Sequence, residues 1–358
     1  MILYALDQNY DKSVVIDHYE SALWVDRFNK PGEFELYIPA ETKIFSYLEC
    51  GTYLVNNYSD RIMIVEGIKI DTDIEDGNKV TITGRSLESI LDRRIIWTQT
   101  DFNNANLQNA IKRLLNENII SPSIAARRVN NILFLDSTDP RITSLTLTAQ
   151  YTGDNLLTVI NEICEANKLG YKMTLNDNKQ LIFSLYMGTD RSFLQNSNNY
   201  VIFSPKFENL LNSNYTKDDT QYKNVTLIAG EGEGTDRVTR VIGSASGINR
   251  RELYTDARDI QKKNAEGQEL SDAEYYALLD QRGIEKLTET KKTEEFDGET
   301  DPFESFIYGE DFFMGDIVQI RNEYGFETAS RVTEFIYSED VSSGSKYYPT
   351  FEVYNTEG

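Results

Sequence analysis

Residues 224–242 read Asn224-Val225-Thr226-Leu227-Ile228-Ala229-Gly230-Glu231-Gly232-Glu233-Gly234-Thr235-Asp236-Arg237-Val238-Thr239-Arg240-Val241-Ile242. Glycines behind an apolar run invite the reading of a phosphate loop. Such a loop leaves a strand and opens a helix, so that backbone N–H groups and the helix dipole face the anion. Here 225–229 has strand character, but the departing segment 237–242 alternates polar and apolar, as a second strand does. Glu231 and Glu233 would also repel a phosphate. The stretch therefore predicts a glycine-rich β-hairpin in a chain built mainly from sheet.

The flanks agree. Over residues 1–97 short apolar runs recur at Ser13–Ile16, Ala22–Val25, Thr52–Val55 and Arg61–Glu66, with a period-two strand at Glu33–Ile38 behind the turn dipeptide Pro31-Gly32. Lys69-Ile70 and Lys79–Thr83 flank Glu75-Asp76-Gly77-Asn78, a hairpin signal. Strands at this spacing suggest a small barrel or sandwich. The period changes over 98–200. Leu107, Ile111, Leu114, Leu115 and Ile119 recur at helical spacing, with Asn103 or Asn104 as N-cap. A second helix is expected from Asn155 to Lys168, stopped by Gly170, followed by a hairpin of 171–175 with 180–186. Strands return at Tyr200–Phe203, 225–229 and 238–242, and again at 316–320, 329–337 and 347–354. Between them, 246–304 holds a capping box, Ser271-Asp272-Ala273-Glu274, and a helix carrying Tyr275, Leu278, Leu279 and Leu287.

The expected fold class is α+β, mostly β: two small β-barrels with two α+β or helical accessory domains. The boundaries are 1–97 for the first barrel, 98–200 for an α+β domain, 201–245 plus 305–358 for the second barrel, and 246–304 for a helical insert.

The chain has 358 residues, 22 Tyr and 17 Phe, and a formal net charge of −22 from 36 basic and 58 acidic side chains. Tyr-rich sequences suit sheets. So acidic a surface argues against nucleic-acid binding, where Lys and Arg neutralise phosphates. Cys50 and Cys164 make no disulfide framework and read as small buried hydrophobes from a reducing compartment. The N-terminal segment lacks the pattern of a signal peptide, and no apolar segment is long enough for a membrane helix. The expectation is a product made soluble in a cytoplasm.

Catalytic constellations are weak. His18 is the single histidine, and neither HExxH nor CxxC spacing occurs, so no zinc site or histidine triad is expected. Asp71–Gly77 imitates a calcium loop, but its glycine falls at position seven instead of six and Gly84 replaces the final glutamate. A hairpin tip fits better. Glu299, Asp301, Glu304, Glu310 and Asp311 could supply a carboxylate pair for glycan hydrolysis, yet with 58 acids such pairs arise by chance. They read as loop decoration. Arg250-Arg251 and Lys262-Lys263 read as salt-bridge partners. No cofactor, metal or catalytic residue is expected.

Several segments together resemble the tail-tip (baseplate) hub proteins of siphophages and prophages, including the N-terminal hub module of tail-associated lysozyme proteins and the contractile-phage baseplate hub. They are Leu23–Pro39, which would open the first barrel; Gly84–Arg94, which would end it; 222–260; Tyr308–Phe312 with Met314–Val318; and Arg331–Glu334 as the closing strand. The resemblance implies a non-enzymatic homotrimer whose two barrels per subunit alternate around a ring, adapting a sixfold tail to a threefold tip. The implied partners are the distal tail protein, tail-tube or tape-measure proteins, and a tail fibre or tip protein. DNA would pass through the lumen without specific binding, repelled by an acidic wall. Longer relatives continue into a hydrolase or receptor-binding region, and this chain ends at Gly358, so cell-wall degradation would fall to another protein or be absent. Trp24, Phe34, Leu36 and Tyr37 are the candidate oligomer-interface residues, each equally readable as core. The implied location is the virion tail tip, after synthesis in the bacterial cytoplasm. The alternatives are a cell-wall glycan hydrolase and a carbohydrate-binding module.

Overall fold

The computed structural model describes residues 1–40, 47–73, 77–299 and 306–354. Two compact units share the chain: residues 1–89, 170–215 and 295–358 form the first, and 90–169 with 216–294 the second.

Seven strands open the chain: β1 (Leu3–Leu6), β2 (Lys12–Ile16), β3 (Ser21–Arg27), β4 (Glu33–Pro39), β5 (Tyr53–Asn56), β6 (Met63–Asp73) and β7 (Gly77–Ser86). In the second unit follow β8 (Thr100–Asn106), α1 (Leu107–Leu115), β9 (Ile132–Leu135), α2 (Pro140–Thr143), β10 (Thr146–Tyr151) and α3 (Leu156–Ala166). The first unit resumes with β11 (Gly170–Leu175), β12 (Leu181–Tyr186) and β13 (Ile202–Phe203). β14 (Asn212–Asp218) carries the chain over to β15 (Val225–Ala229), β16 (Thr239–Ile242), β17 (Glu252–Asp256) and α4 (Asp272–Glu289). β18 (Thr293–Glu299) leads back to β19 (Ile317–Arg321), β20 (Glu327–Asp340) and β21 (Gly344–Val353).

One sheet dominates the first unit, in the order β14-β18-β21-β20-β3-β4-β7-β6-β5-β1-β2, with β19 also on β20 and β13 beside β19. Its N-terminal and C-terminal strands join at the antiparallel pair β20·β3, Glu334 opposite Arg27 through Asp340 opposite Ser21. The fold is mostly β with an α+β second unit. β4 shows why these residues make strands: its burial alternates, with Phe34, Leu36 and Ile38 inward and Glu33 and Glu35 outward. Around them gather Trp24, Met63, Val80, Ile82, Phe203, Phe312, Val332 and Phe351. Phe203 holds rings of Phe306, Phe312 and Phe351 within 5.8 Å of its own.

In the second unit β15 pairs antiparallel with β16 and parallel with β17. The hairpin predicted over 225–242 is present; β17 was not foreseen, because Glu252-Leu253-Tyr254-Thr255-Asp256 offers only a short, polar strand pattern. α4 begins at the expected capping box, with the Ser271 hydroxyl accepting the Glu274 N–H and the Glu274 carboxylate accepting the Ser271 N–H. Tyr275, Leu278 and Leu279 lock it against Ile228, Ala257 and Ile260, while Leu287 is half-buried. Gly283 lets the helix approach closely: a Cβ would meet the Ile228 side chain at 2.5 Å.

Three expectations are corrected. The N-cap of α1 is Asn106, which accepts the Asn109 N–H at 3.1 Å. Asn103 and Asn104 lie within β8, whose pairing to β10 runs to Asn106 and delays the helix. α3 stops at Asn167 and the left-handed Lys168 (φ +56°). Gly170 instead opens β11, where a Cβ would meet the Phe28 ring at 2.4 Å. Cys164 is buried as expected, but Cys50 is exposed.

On α4 itself the second unit buries a carboxylate. Glu285 is 3 % exposed, and burial pushes its carboxyl up to about 7 from 4.5, opposed by the Gln281 hydrogen bond and Arg282. Glu162 and Lys286 complete its surroundings. The folded chain thus holds a proton that the unfolded chain releases near pH 4.5, so stability falls as pH rises through about 7. Above that pH the charged form costs roughly 3 kcal/mol by the magnitude of the shift. Glu285→Gln is expected to raise stability by about 2 kcal/mol near pH 8 and to change little near pH 5. Urea unfolding at both pH values checks the sign; a destabilised variant at pH 8 would refute it.

Candidate functional site

Strands β3 and β4 decide what surface the first unit can offer. Trp24 and Leu36 are fully buried and Phe34 is 2 % exposed. Trp24 pairs with Phe34 across the strands, their rings 6.1 Å apart. These three candidate interface residues therefore pack inside one protomer. Tyr37 lies on the opposite face of β4, half-buried, with the Lys79 ammonium 5.3 Å from its ring. It is the one of the four with surface to present to a partner. The outer face of β4, β7 and β6 carries two adjoining shallow hollows of about 500 and 550 Å³, floored by Gly67 and Thr83. Glu35 borders both, while Arg85 is held by Glu66 through two hydrogen bonds at 2.7 and 3.1 Å.

A buried charged network lies under the same sheet. Arg61 is 4 % exposed and Glu88 is fully buried. The Arg61 guanidinium donates to Glu88 Oε1, to the Arg27 carbonyl at 3.2 Å and to the Tyr171 carbonyl at 3.4 Å. Glu88 Oε1 also accepts the Met173 N–H at 2.7 Å, which ties β11 to the turn after β7. Asp26, 4 % exposed, accepts from the Trp24 indole at 3.1 Å and the Ser59 hydroxyl at 2.7 Å. Sequence reasoning missed all three. The one available signal was an acid inside the apolar run Leu87-Glu88-Ser89-Ile90-Leu91.

The weak catalytic motifs remain unassembled. His18 is exposed, and among the described residues no three His, Cys, Asp or Glu side chains converge on a possible metal position. Asp71–Gly77 lies partly outside the described residues, and Asp73 pairs with Gly77 across a hairpin. Of the carboxylates at 299–311, Asp301 and Glu304 lie outside the described residues. The Gly230–Gly234 turn forms no anion cradle: the Gly230 N–H goes to the Val238 carbonyl and the Glu231 N–H to the Tyr275 hydroxyl. Arg250, Arg251, Lys262 and Lys263 pair with Glu252, Asp219, Asp272 and Glu269 of the same chain. No helix among the described residues is long and apolar enough to cross a membrane.

The family model for Siphovirus ReqiPepy6 Gp37-like protein matches residues 2–351. The fold is similar to that of the tail protein from Neisseria meningitidis MC58, with TM-score 0.58 at 11 % identity, covering 98 % of this chain and 96 % of that one. It is also similar to prophage tail protein gp18 from Listeria monocytogenes EGD-e, with TM-score 0.55 at 11 % identity over 100 % and 96 %. The 43 kDa tail protein of prophage MuSo2 from Shewanella oneidensis gives TM-score 0.55 at 12 % identity over 98 % and 97 %. No curated protein sequence matches the chain.

Proposed function

The chain belongs to the Siphovirus ReqiPepy6 Gp37-like protein family, and from that premise we propose that this phage tail protein is the homotrimeric hub closing the tail tip. The observation that carries the proposal is the single sheet in which the first seven strands join the last three through β3 and β20. A hub subunit needs two β modules held rigidly side by side, so that three subunits present six similar modules to a sixfold tail. The barrels expected over 1–97 and over 201–245 plus 305–358 would then be drawn from the first unit, without the 225–242 hairpin, which falls in the second unit. The remaining segments would face a fibre or tip protein, and the distal tail, tail-tube and tape-measure proteins would lie above the ring.

The role is mechanical, not catalytic: the ring frames the DNA exit and adapts the two symmetries. With −22 on each copy, an acidic channel wall would let DNA slide by without adhering. Tyr37 and the outer face of β4, β7 and β6 are the surface proposed to meet a neighbouring copy.

Light scattering tests this directly. Three copies of 41.1 kDa, about 123 kDa, with a central hole in negative-stain images, are expected. A chain that stays monomeric even when mixed with tail-tube and distal tail proteins would overturn the hub, and so would turnover of peptidoglycan by the purified protein.

A further inference from the structure

The first unit contains a cavity of about 440 Å³ that the hub role leaves unused. Its walls are aromatic: Tyr58, Tyr186, Tyr308, Phe313 and Tyr337. The rings are set rigidly. Tyr308 stacks on Phe335 at 3.9 Å, Tyr58 stacks on Tyr337 at 5.9 Å, and the Tyr337 hydroxyl donates to the Tyr58 carbonyl at 3.3 Å. Tyr58 and Phe313, 49 % and 45 % exposed, leave the cavity open to solvent.

Its lining carries two acids, Asp26 and Asp60, and two bases, Arg61 and Lys172, and both bases are held by carboxylates other than Asp26. Arg61 is committed to Glu88, and Lys172 to Asp60. Asp26 remains, buried against the cavity, with only the neutral donors Trp24 and Ser59. The serine hydroxyl has one proton to share between the two carboxylate oxygens, so acceptor capacity is left over. No cation among the described residues lies within ion-pair distance of Asp26. Burial pushes its carboxyl up to about 6 against the opposing charge of Arg61 and the Ser59 hydrogen bond, so near neutral pH it is ionised at a remaining desolvation cost that a bound cation would relieve.

We propose that this cavity binds an alkylammonium group, with Asp26 as counter-ion and the tyrosine faces as cation–π walls. Ring quadrupoles attract a cation to their faces, most strongly where water is excluded. The volume suits a small organic group, and an acidic molecule concentrates cations about itself. A lysine side chain of a neighbouring protein and a free amine share this chemistry.

The chain contains two tryptophans, Trp24 and Trp97, and Trp24 donates to Asp26 itself. Full-length protein labelled with 5-fluorotryptophan therefore carries a reporter at the site and one in the second unit. Titration with n-butylammonium at constant ionic strength is expected to shift the Trp24 fluorine resonance saturably and leave Trp97 unmoved. Asp26→Asn should weaken that response about tenfold, and Tyr58→Leu, at a half-exposed position, about threefold. If the Asp26 variant fails to fold, the Tyr58 variant decides. A lysine-containing tripeptide amide that binds tighter than butylammonium would point to a protein lysine, and the reverse order to a free amine. An unmoved Trp24 resonance, or an equal response to n-butanol or N-acetylglucosamine, would overturn the proposal.

Discussion

Arg61→Ala is expected to destabilise the first unit by about 3–5 kcal/mol, because removing one partner of a buried ion pair strands the other. Glu88 is fully buried, and its Oε2 has no hydrogen-bond partner. Its Oε1 relies on Arg61 and the Met173 N–H. With Arg61 gone, a single backbone donor is left for an entire carboxylate. Two backbone carbonyls, of Arg27 and Tyr171, lose a donor at the same moment. Glu88→Gln in the Arg61→Ala background should recover part of the loss, since a neutral amide tolerates burial better. Replacing both residues by Met should cost less than Arg61→Ala alone. Urea unfolding of these proteins, with Glu88→Gln alone added to close the cycle with Arg61→Ala, measures the coupling. An Arg61→Ala protein within about 1 kcal/mol of wild type would show that the pair matters little to stability.

Gly84→Ala should be more severe. Gly84 lies in β7, opposite Phe34 of β4 and Val65 of β6. A Cβ there would stand 1.8 Å from the Ile64 carbonyl oxygen and 2.7 Å from the Phe34 ring. The first contact is with backbone, so no side-chain rotation relieves it. β6 already slips its register between Val65 and Gly67, directly beside this position, and such a bulge belongs where backbones approach closely. The expected loss is about 4 kcal/mol or more, read as little soluble protein or a collapsed melting temperature. Gly51→Ala is the control: its φ is +99° but a Cβ meets nothing within 4 Å. It should cost about 1 kcal/mol. If Gly84→Ala melted with the Gly51 variant, the close approach would not control the sheet.

The elements legible in the sequence were those whose signal is local. β4 announces itself by alternation, α4 by Ser271 and Glu274, and the 225–242 hairpin by apolar runs about a glycine turn. Pairings between distant segments leave no such trace. The sequence points to Asn103 or Asn104 as the cap of α1, and the pairing of β8 with β10 as far as Asn106 displaces it. β13 is two residues long and exists because β19 lies parallel to it. Trp24, Phe34 and Leu36 could be read as interface or core, and the closing of β20 on β3 makes them core. Arg61 and Glu88 are two charges among 94, 27 positions apart, and nothing in the order of residues couples them.

The join between β3 and β20 also sets a timetable. Arg27 and Glu334, hydrogen-bonded at 2.6 Å, are 307 positions apart. At about 5–20 residues per second the ribosome needs roughly 15–60 s to travel between them. During that interval β3 can lean on β4, but its other edge shows unpaired N–H and C=O groups, a template for any passing strand. Long-range pairing of this kind is slow to form even once both partners exist. Any cell translating many copies at once therefore holds a population of nascent chains with the same open edge. The yield of folded protein then depends on how well those chains are kept apart until residue 340 has emerged.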